Sequence, residues 1–400
     1  MHLPALLAAI ESGDENSVLD LLDSVRSDEF TGEQATTLLS AAAHAGLDEA
    51  VRQLIDGGAD PTRPWADGSD PVSWATERGD YTVLLALLSR SHDQHRPDSP
   101  QRRALRAAEA ALGAATPGEP GPPPAHLAIV SHLEAALGIH RTPDELLARA
   151  LVHALPQHDD WFESVSQLSY RTTWETFEWI SVLVSDTCSV ARRRFGLDVL
   201  RFMTFGLPSP HGPSAADDYL TDELPFARQA TDLLCLLLDT EQDPYALRSA
   251  IAAFGSYCAS DEIRAVLGHA RHPDPGIRRE VAGLIATNRS TTVTADDPEI
   301  LAAMIRLTGD QASEVRAAAL SALTASTTDT PALREALTAR LGDPHFDARL
   351  HAASALVLRG DERGRPVLDE IRRGISSHRS PGALALDALD YRLRSHATRR

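Results

Sequence analysis

The 400-residue chain contains no lysine, so its 38 basic side chains are all arginine. A Walker A phosphate loop, a kinase phosphate-binding lysine and a pyridoxal Schiff base each require a lysine amine, and all three are excluded. Cysteine is scarce as well. Cys188, Cys235 and Cys258 stand alone, without any Cys-x-x-Cys, in apolar surroundings such as Leu233-Leu234-Cys235-Leu236-Leu237, and read as buried thiols of a reducing compartment. No run approaches the ~20 apolar residues that a membrane span needs, and the first ten residues lack a basic region and meet Glu11 too early for a signal peptide. A cytoplasmic protein is expected, with no membrane association. Glycine-rich phosphate fingerprints are missing. The histidine pairs His92/His95 and His269/His272 have no third ligand at motif distance and read as surface residues, so neither metal nor cofactor is expected. Arginine without lysine, together with abundant alanine, also matches the codon bias of a high-GC bacterial genome.

What the chain does have is repetition. Leu247-Arg248, Ile277-Arg278, Val315-Arg316 and Ala348-Arg349 each follow an acidic turn, at Asp243-Pro244, Asp274-Pro275, Asp310 and Asp343-Pro344, with Arg-to-Arg spacings of 30, 38 and 33 residues. Within one copy, Ile277, Val281, Ala282 and Leu284/Ile285 form an apolar helical stripe while Arg279, Glu280 and Gly283 fall on the opposite face. Such a helix needs a neighbour to bury its stripe. A fifth copy is read at Asp186 to Arg192, with Phe195 and Val199 on its apolar face.

This pattern resembles the HEAT-repeat family, including the shorter phycobilin lyase-like variety, over about residues 180 to 375. The resemblance implies that the Asp-Pro turn starts the second helix of each pair and that the arginine ties neighbouring repeats through hydrogen bonds. It also places the two positions after that arginine along a concave wall. They read Arg193/Arg194, Ser249/Ala250, Arg279/Glu280, Ala317/Ala318 and Leu350/His351, a groove suited to a peptide or an acidic segment.

Residues 3 to 88 carry a second period. Gly13, Gly46 and Gly79 are 33 residues apart, each followed closely by Asp. With Leu38-Leu39-Ser40-Ala41-Ala42 before Gly46, the run from Ala50 to Pro61 after it, and Asp70-Pro71-Val72-Ser73 opening the next unit, this part resembles ankyrin repeats. The turn around Arg63 and Trp65 is then the projecting finger, in which an exposed tryptophan is expected to meet a partner or the segment that follows. Residues 1 to 88 hold 16 acids against 4 arginines, and residues 89 to 400 hold 41 against 34. Both balances argue against nucleic acid.

Between the two patterns, residues 89 to 125 combine arginines with Pro117, Pro120, Pro122, Pro123 and Pro124 and read as an extended linker. Helical periodicity returns at His126. Trp161, Phe162, Tyr170, Trp174, Phe177 and Trp179 then concentrate six of the 20 aromatics in 19 residues, either as the core of the first HEAT units, with Trp174 on the buried face, or as a binding hot spot. Residues 203 to 225 interrupt the register. Ser209, His211 and Asp217 lie there, but no Gly-x-Ser-x-Gly elbow surrounds the serine. The segment from Pro381 to Arg394 reads as a capping helix.

The expected architecture is therefore an all-α solenoid: ankyrin repeats over 1–88, a linker over 89–125 and HEAT-like repeats over 126–400. The expected function is non-catalytic binding of a protein or peptide partner, with Arg63, Trp65, Trp161, Trp179, Arg193, Arg194 and Arg279 as contact residues. The rival is a HEAT-type enzyme, a lyase-like small-molecule binder or a DNA glycosylase, with a pocket near 161–179 and 203–225.

Overall fold

The computed structural model describes residues 2–25, 32–90, 99–114, 125–204, 224–258, 262–287, 296–375 and 379–397. Among them every regular element is helical, and no helix is long and apolar enough to cross a membrane. The proline run at 117–124, His92/His95, and Ser209, His211 and Asp217 of the interrupting segment lie outside the described residues. The chain divides into two compact units, Met1–Gln167 and Leu168–Arg400.

The first unit begins with helix pairs: α1 (His2–Ser12) and α2 (Glu15–Ser24), α3 (Gly32–His44) and α4 (Asp48–Asp56), α5 (Pro71–Arg78) and α6 (Tyr81–Leu88). Each pair is joined through a glycine, Gly13, Gly46 or Gly79, at φ 71°, 72° and 67°. This left-handed backbone ends one helix and reverses the chain, and a Cβ would strain it, which is why the period of 33 is marked by glycine. Asp14 and Asp80 then cap the second helices by accepting from the backbone N–H of Ser17 and Val83. Pairs stack through α1 on α3, α2 on α4 and α4 on α6.

The stack does not stop at residue 88. Within the expected linker, α7 (Pro100–Ala114) packs on α5 and on α8 (His126–Ala136), burying Ala104 and Ala108, and the Ala125 N–H donates to the Gly79 carbonyl at 3.1 Å. The linker reading gave its weight to the later prolines. Pro100 instead starts a helix, where its missing N–H is harmless, and small residues four apart let that helix approach closely. The units part after Gln167, well beyond the boundary expected from composition.

In the second unit the pairs are α11 (Trp174–Val184) with α12 (Val190–Met203), α13 (Ala227–Thr240) with α14 (Pro244–Tyr257), a 3₁₀ stretch (Glu262–Arg271) with α15 (Pro275–Thr287), α16 (Pro298–Leu307) with α17 (Ser313–Ala325), and α18 (Pro331–Thr338) with α19 (Phe346–Leu358). Second helices pack in series, α12 on α14, α14 on α15, α15 on α17, α17 on α19, which is the solenoid. The stripe read from sequence is its core: Ile277, Val281, Ala282 and Ile285 are buried, as are Phe195, Phe254, Val315 and Leu356. After α20 (Arg365–Gly374), α21 (Pro381–Ala397) closes the array, packing Leu386 and Leu389 with Leu350, Val357, Leu368 and Ile371.

Candidate binding face on the second helices

The turn before each of four second helices holds an acid whose side chain accepts the backbone N–H two residues on. Asp186 accepts from Cys188, Glu241 from Asp243, Asp310 from Ala312 and Asp343 from His345, at 2.8, 2.8, 2.9 and 3.0 Å. Three of these carboxylates also receive an arginine from the preceding repeat. Arg193 donates through Nε and Nη2 to Glu241 at 2.7 and 3.0 Å, Arg278 to Asp310 at 2.7 and 2.8 Å, and Arg316 to Asp343 at 2.7 and 2.8 Å. Nη1 of the same arginines donates to carbonyls of their own turns, at Asp186, at His272 and Pro273, and at Asp310 and Gln311. A planar fork on a carboxylate is the strongest geometry available to such a pair, and it holds Asp310 and Asp343 below the usual carboxylate range.

These pairs form the expected tie between repeats, with two corrections. In the first repeat the tying residue is Arg193, one position after the expected Arg192, which pairs with Asp186 of its own turn at 3.0 Å. Arg193, expected to contact a partner, thereby belongs to the scaffold.

Among the described residues, the turn before α15 lacks the acid of the ladder. Where the other turns have an acid, the turn before α15 has His272, whose Nδ1 accepts the Asp274 N–H at 3.1 Å. The imidazole keeps the turn but offers no anion to the arginine behind it, Arg248. That side chain lies instead over Tyr245, its Cζ 5.3 Å from the ring centroid, and Arg194 from α12 reaches the same ring at 4.8 Å. Nε of each is buried without an acceptor. Burial holds the Arg194 guanidinium below its ordinary value, Asp198 opposing this and the charge of Arg248 adding to it. Two cations with unused donors thus converge on one half-exposed aromatic ring, an arrangement whose natural complement is a carboxylate.

The remaining expected contact residues scatter. Arg279 is exposed on α15, where its charge reaches Glu314. Arg63 is exposed, its guanidinium against Gly32. Trp65, expected to project, is 4% exposed. Its backbone N–H donates to Ser69 and its carbonyl accepts from Gly68, which folds the finger back so that the indole packs on His44 and, edge-on, on Trp74 at 4.9 and 5.0 Å. Trp161 is core at 2% exposed, and Trp179 is half-buried. Trp174, expected in the core, is 39% exposed and donates Nε1 to Glu178 at 2.7 Å. Phe177 fills the core there, stacked on Phe226 at 4.8 Å. Cys188 is exposed and Cys235 and Cys258 are half-buried, against the expectation of buried thiols. His269 and His272, expected at the surface, are also half-buried.

The sequence pattern takes Arg248 as a repeat arginine and His272 as a surface histidine, and neither they nor Tyr245 are expected there as contact residues, although their signal is there. Alignment on Asp-Pro placed Asp243 and Asp274 in one column with Asp310 and Asp343. The first two are helix caps, accepting from Tyr245 and Ala246 and from Ile277. The structural column is Glu241, His272, Asp310 and Asp343, and in that column the histidine is conspicuous.

No protein-family model matches the chain, and no curated protein matches it. Among solved structures it is similar to the X-ray structure of YibA from Escherichia coli, with 16% identity over 62% of this chain and 93% of that one and a TM-score of 0.44. It is also similar to the crystal structure of an engineered protein, with 13% identity over 98% and 99% of the two chains and a TM-score of 0.36.

Proposed function

We propose that the protein is a binding scaffold whose second unit takes an acidic peptide segment on its second-helix face, centred on Arg194, Tyr245 and Arg248. The observation that carries this reading is the break in the ladder. Arg193, Arg278 and Arg316 each find the next repeat's acid, whereas His272 stands where the acid for Arg248 would be and leaves the Arg248 Nε without an acceptor beside Arg194. A partner carboxylate would supply the missing acceptor, and the exposed Tyr245 ring would stack against its backbone or side chain. The same reading assigns the amino-terminal helix pairs to the ankyrin class, which the glycine turns 33 residues apart support, and the second unit to the HEAT class, which the arginine ladder supports. Arginine without lysine and abundant alanine support a bacterial source, and isolated cysteines with no long apolar run support a cytoplasmic location.

The test uses fluorescein-labelled Gly/Ser decapeptides carrying a central Glu-Glu or a central Lys-Lys, followed by fluorescence anisotropy. The wild-type chain is expected to bind the acidic peptide selectively, and Arg194→Ala with Arg248→Ala to weaken it at least tenfold, about 1.4 kcal/mol or more, at unchanged helicity. Equal affinity for both peptides, or an unaffected double variant, removes the reading.

A further inference from the structure

In the first unit the loop between α9 (Pro143–Ala150) and α10 (Asp159–Ser169) gathers a different set of groups. His153 Nε2 and His158 Nδ1 each lie 3.5 Å from Asp160 Oδ2. The two imidazole centroids are 4.7 Å apart, and a donor atom from each of the three residues lies within 4.8 Å of the other two. Asp160 is 1% exposed. Its Oδ1 accepts the Ala128 N–H at 2.7 Å, which anchors the carboxylate to the start of α8. Its Oδ2, by contrast, is buried with no hydrogen-bond donor.

A buried carboxylate oxygen left without a donor is costly, and the environment normally supplies either a hydrogen bond or a positive charge. Here the oxygen faces two imidazoles, which are ligands of borderline metals when neutral and hydrogen-bond donors when protonated. The spacing favours the first role. Zinc bonds of about 2.0–2.2 Å at the tetrahedral angle set donor atoms roughly 3.3–3.5 Å apart, the separation of Oδ2 from both nitrogens. The set is wrong for calcium or magnesium, which prefer oxygen throughout. Residues 1 to 167 hold 26 acids against 11 arginines, an excess that raises the local concentration of cations. The Asp160 N–H donates to His158 Nδ1 at 3.2 Å, so a cation on that nitrogen displaces this long hydrogen bond at the start of α10.

We propose that His153, His158 and Asp160 form a binding site for a divalent transition-metal ion of the zinc class, with the fourth coordination position left to water or an external ligand. Ligands contributed by the α9–α10 loop and the first turn of α10, with the anchor at α8, would make the ion a clasp between three elements. The site is separate from the arginine face and does not depend on the peptide-binding reading.

The test is calorimetric titration of the tag-free, chelator-stripped full chain with zinc chloride, alongside a thermal melt with and without the ion. One zinc ion per chain with micromolar or tighter affinity is expected, together with a raised Tm. The substitutions His153→Ala and His158→Ala together are expected to weaken that event by about 100-fold or more and to abolish the zinc-dependent rise in Tm. Asp160→Asn provides a second variant that keeps an oxygen for the Ala128 N–H, so its fold is retained while the anionic ligand is lost, and the same loss of zinc binding is expected. Visible spectra of the cobalt-substituted chain read the coordination directly, an intense d–d band marking a low-coordinate site that the variants lack. Absence of binding in the wild type overturns the proposal, as does zinc binding that survives both the double variant and Asp160→Asn.

Discussion

Trp65 and Trp174 exchange the roles that their local sequence suggests. The finger containing Trp65 reads as exposed because it is rich in proline, glycine and aspartate. Gly68 at φ 84° closes a tight loop, however, and Ser69 accepts the Trp65 N–H at 3.0 Å, which together aim the indole at His44 and Trp74. Trp174 opens its helix directly after the cap Thr173, where the first turn is still half in solvent, and Phe177 one turn later takes the buried position. Trp65→Ala is expected to destabilise the chain by about 3–5 kcal/mol, the usual loss for a buried aromatic. Trp174→Ala, removing a ring that retains much of its exposure, should change stability by roughly 1 kcal/mol or less. Chemical denaturation followed by circular dichroism separates the two. A Trp65→Ala chain as stable as wild type would return Trp65 to the binding surface.

Among elements, the informative unit is the turn together with the two second helices that flank it. Glu241, Asp310 and Asp343 each accept a backbone N–H of their own repeat and a guanidinium of the repeat before, so one side chain sets the local turn and the spacing between helices at once. At the turn before α15, His272 performs only the first task. His272→Asp should perform both, accepting the Asp274 N–H and drawing Arg248 away from Tyr245 into the fork seen at Asp310 and Asp343. The expected result is a Tm equal to or above that of wild type and an affinity for the Glu-Glu peptide at least tenfold lower, about 1.4 kcal/mol, because an intramolecular carboxylate now occupies the donors. An unaltered affinity would detach the free arginines from binding. Much of this was legible in the sequence. The stripe from Ile277 to Ile285, the arginine column and the 33-residue glycine period all follow from periodicity, which tertiary packing then uses directly. The column of acids was harder to read because Asp243 and Asp274 serve as caps two residues later, and a cap and a ladder rung have the same chemistry. The His153–His158–Asp160 set was illegible for another reason. It is made by the path of a loop, which no helical or strand period encodes.

At the scale of the molecule, charge is divided unevenly. Of the net −19, the first unit carries −15, from 26 acids and 11 arginines, and the second −4, from 31 and 27. Under the proposed function, an acidic peptide would approach a chain whose net charge repels it at a distance and would be attracted at close range near Arg194 and Arg248. The two effects have different ranges. With a Debye length of about 30 Å at 0.01 M salt and about 10 Å at 0.1 M, low salt exposes the peptide to the whole negative field, whereas moderate salt removes that field and leaves the short-range guanidinium contacts largely intact. The association rate constant for the Glu-Glu peptide is accordingly expected to rise, by roughly two- to tenfold, as sodium chloride is increased from 0.01 to 0.1 M, while the dissociation rate constant rises as the contact pairs are screened. Stopped-flow anisotropy measures both. An association rate that falls steadily with salt would mean that the second unit presents a much broader positive surface than one arginine pair, and the site would have to be redrawn around arginines beyond Arg194 and Arg248.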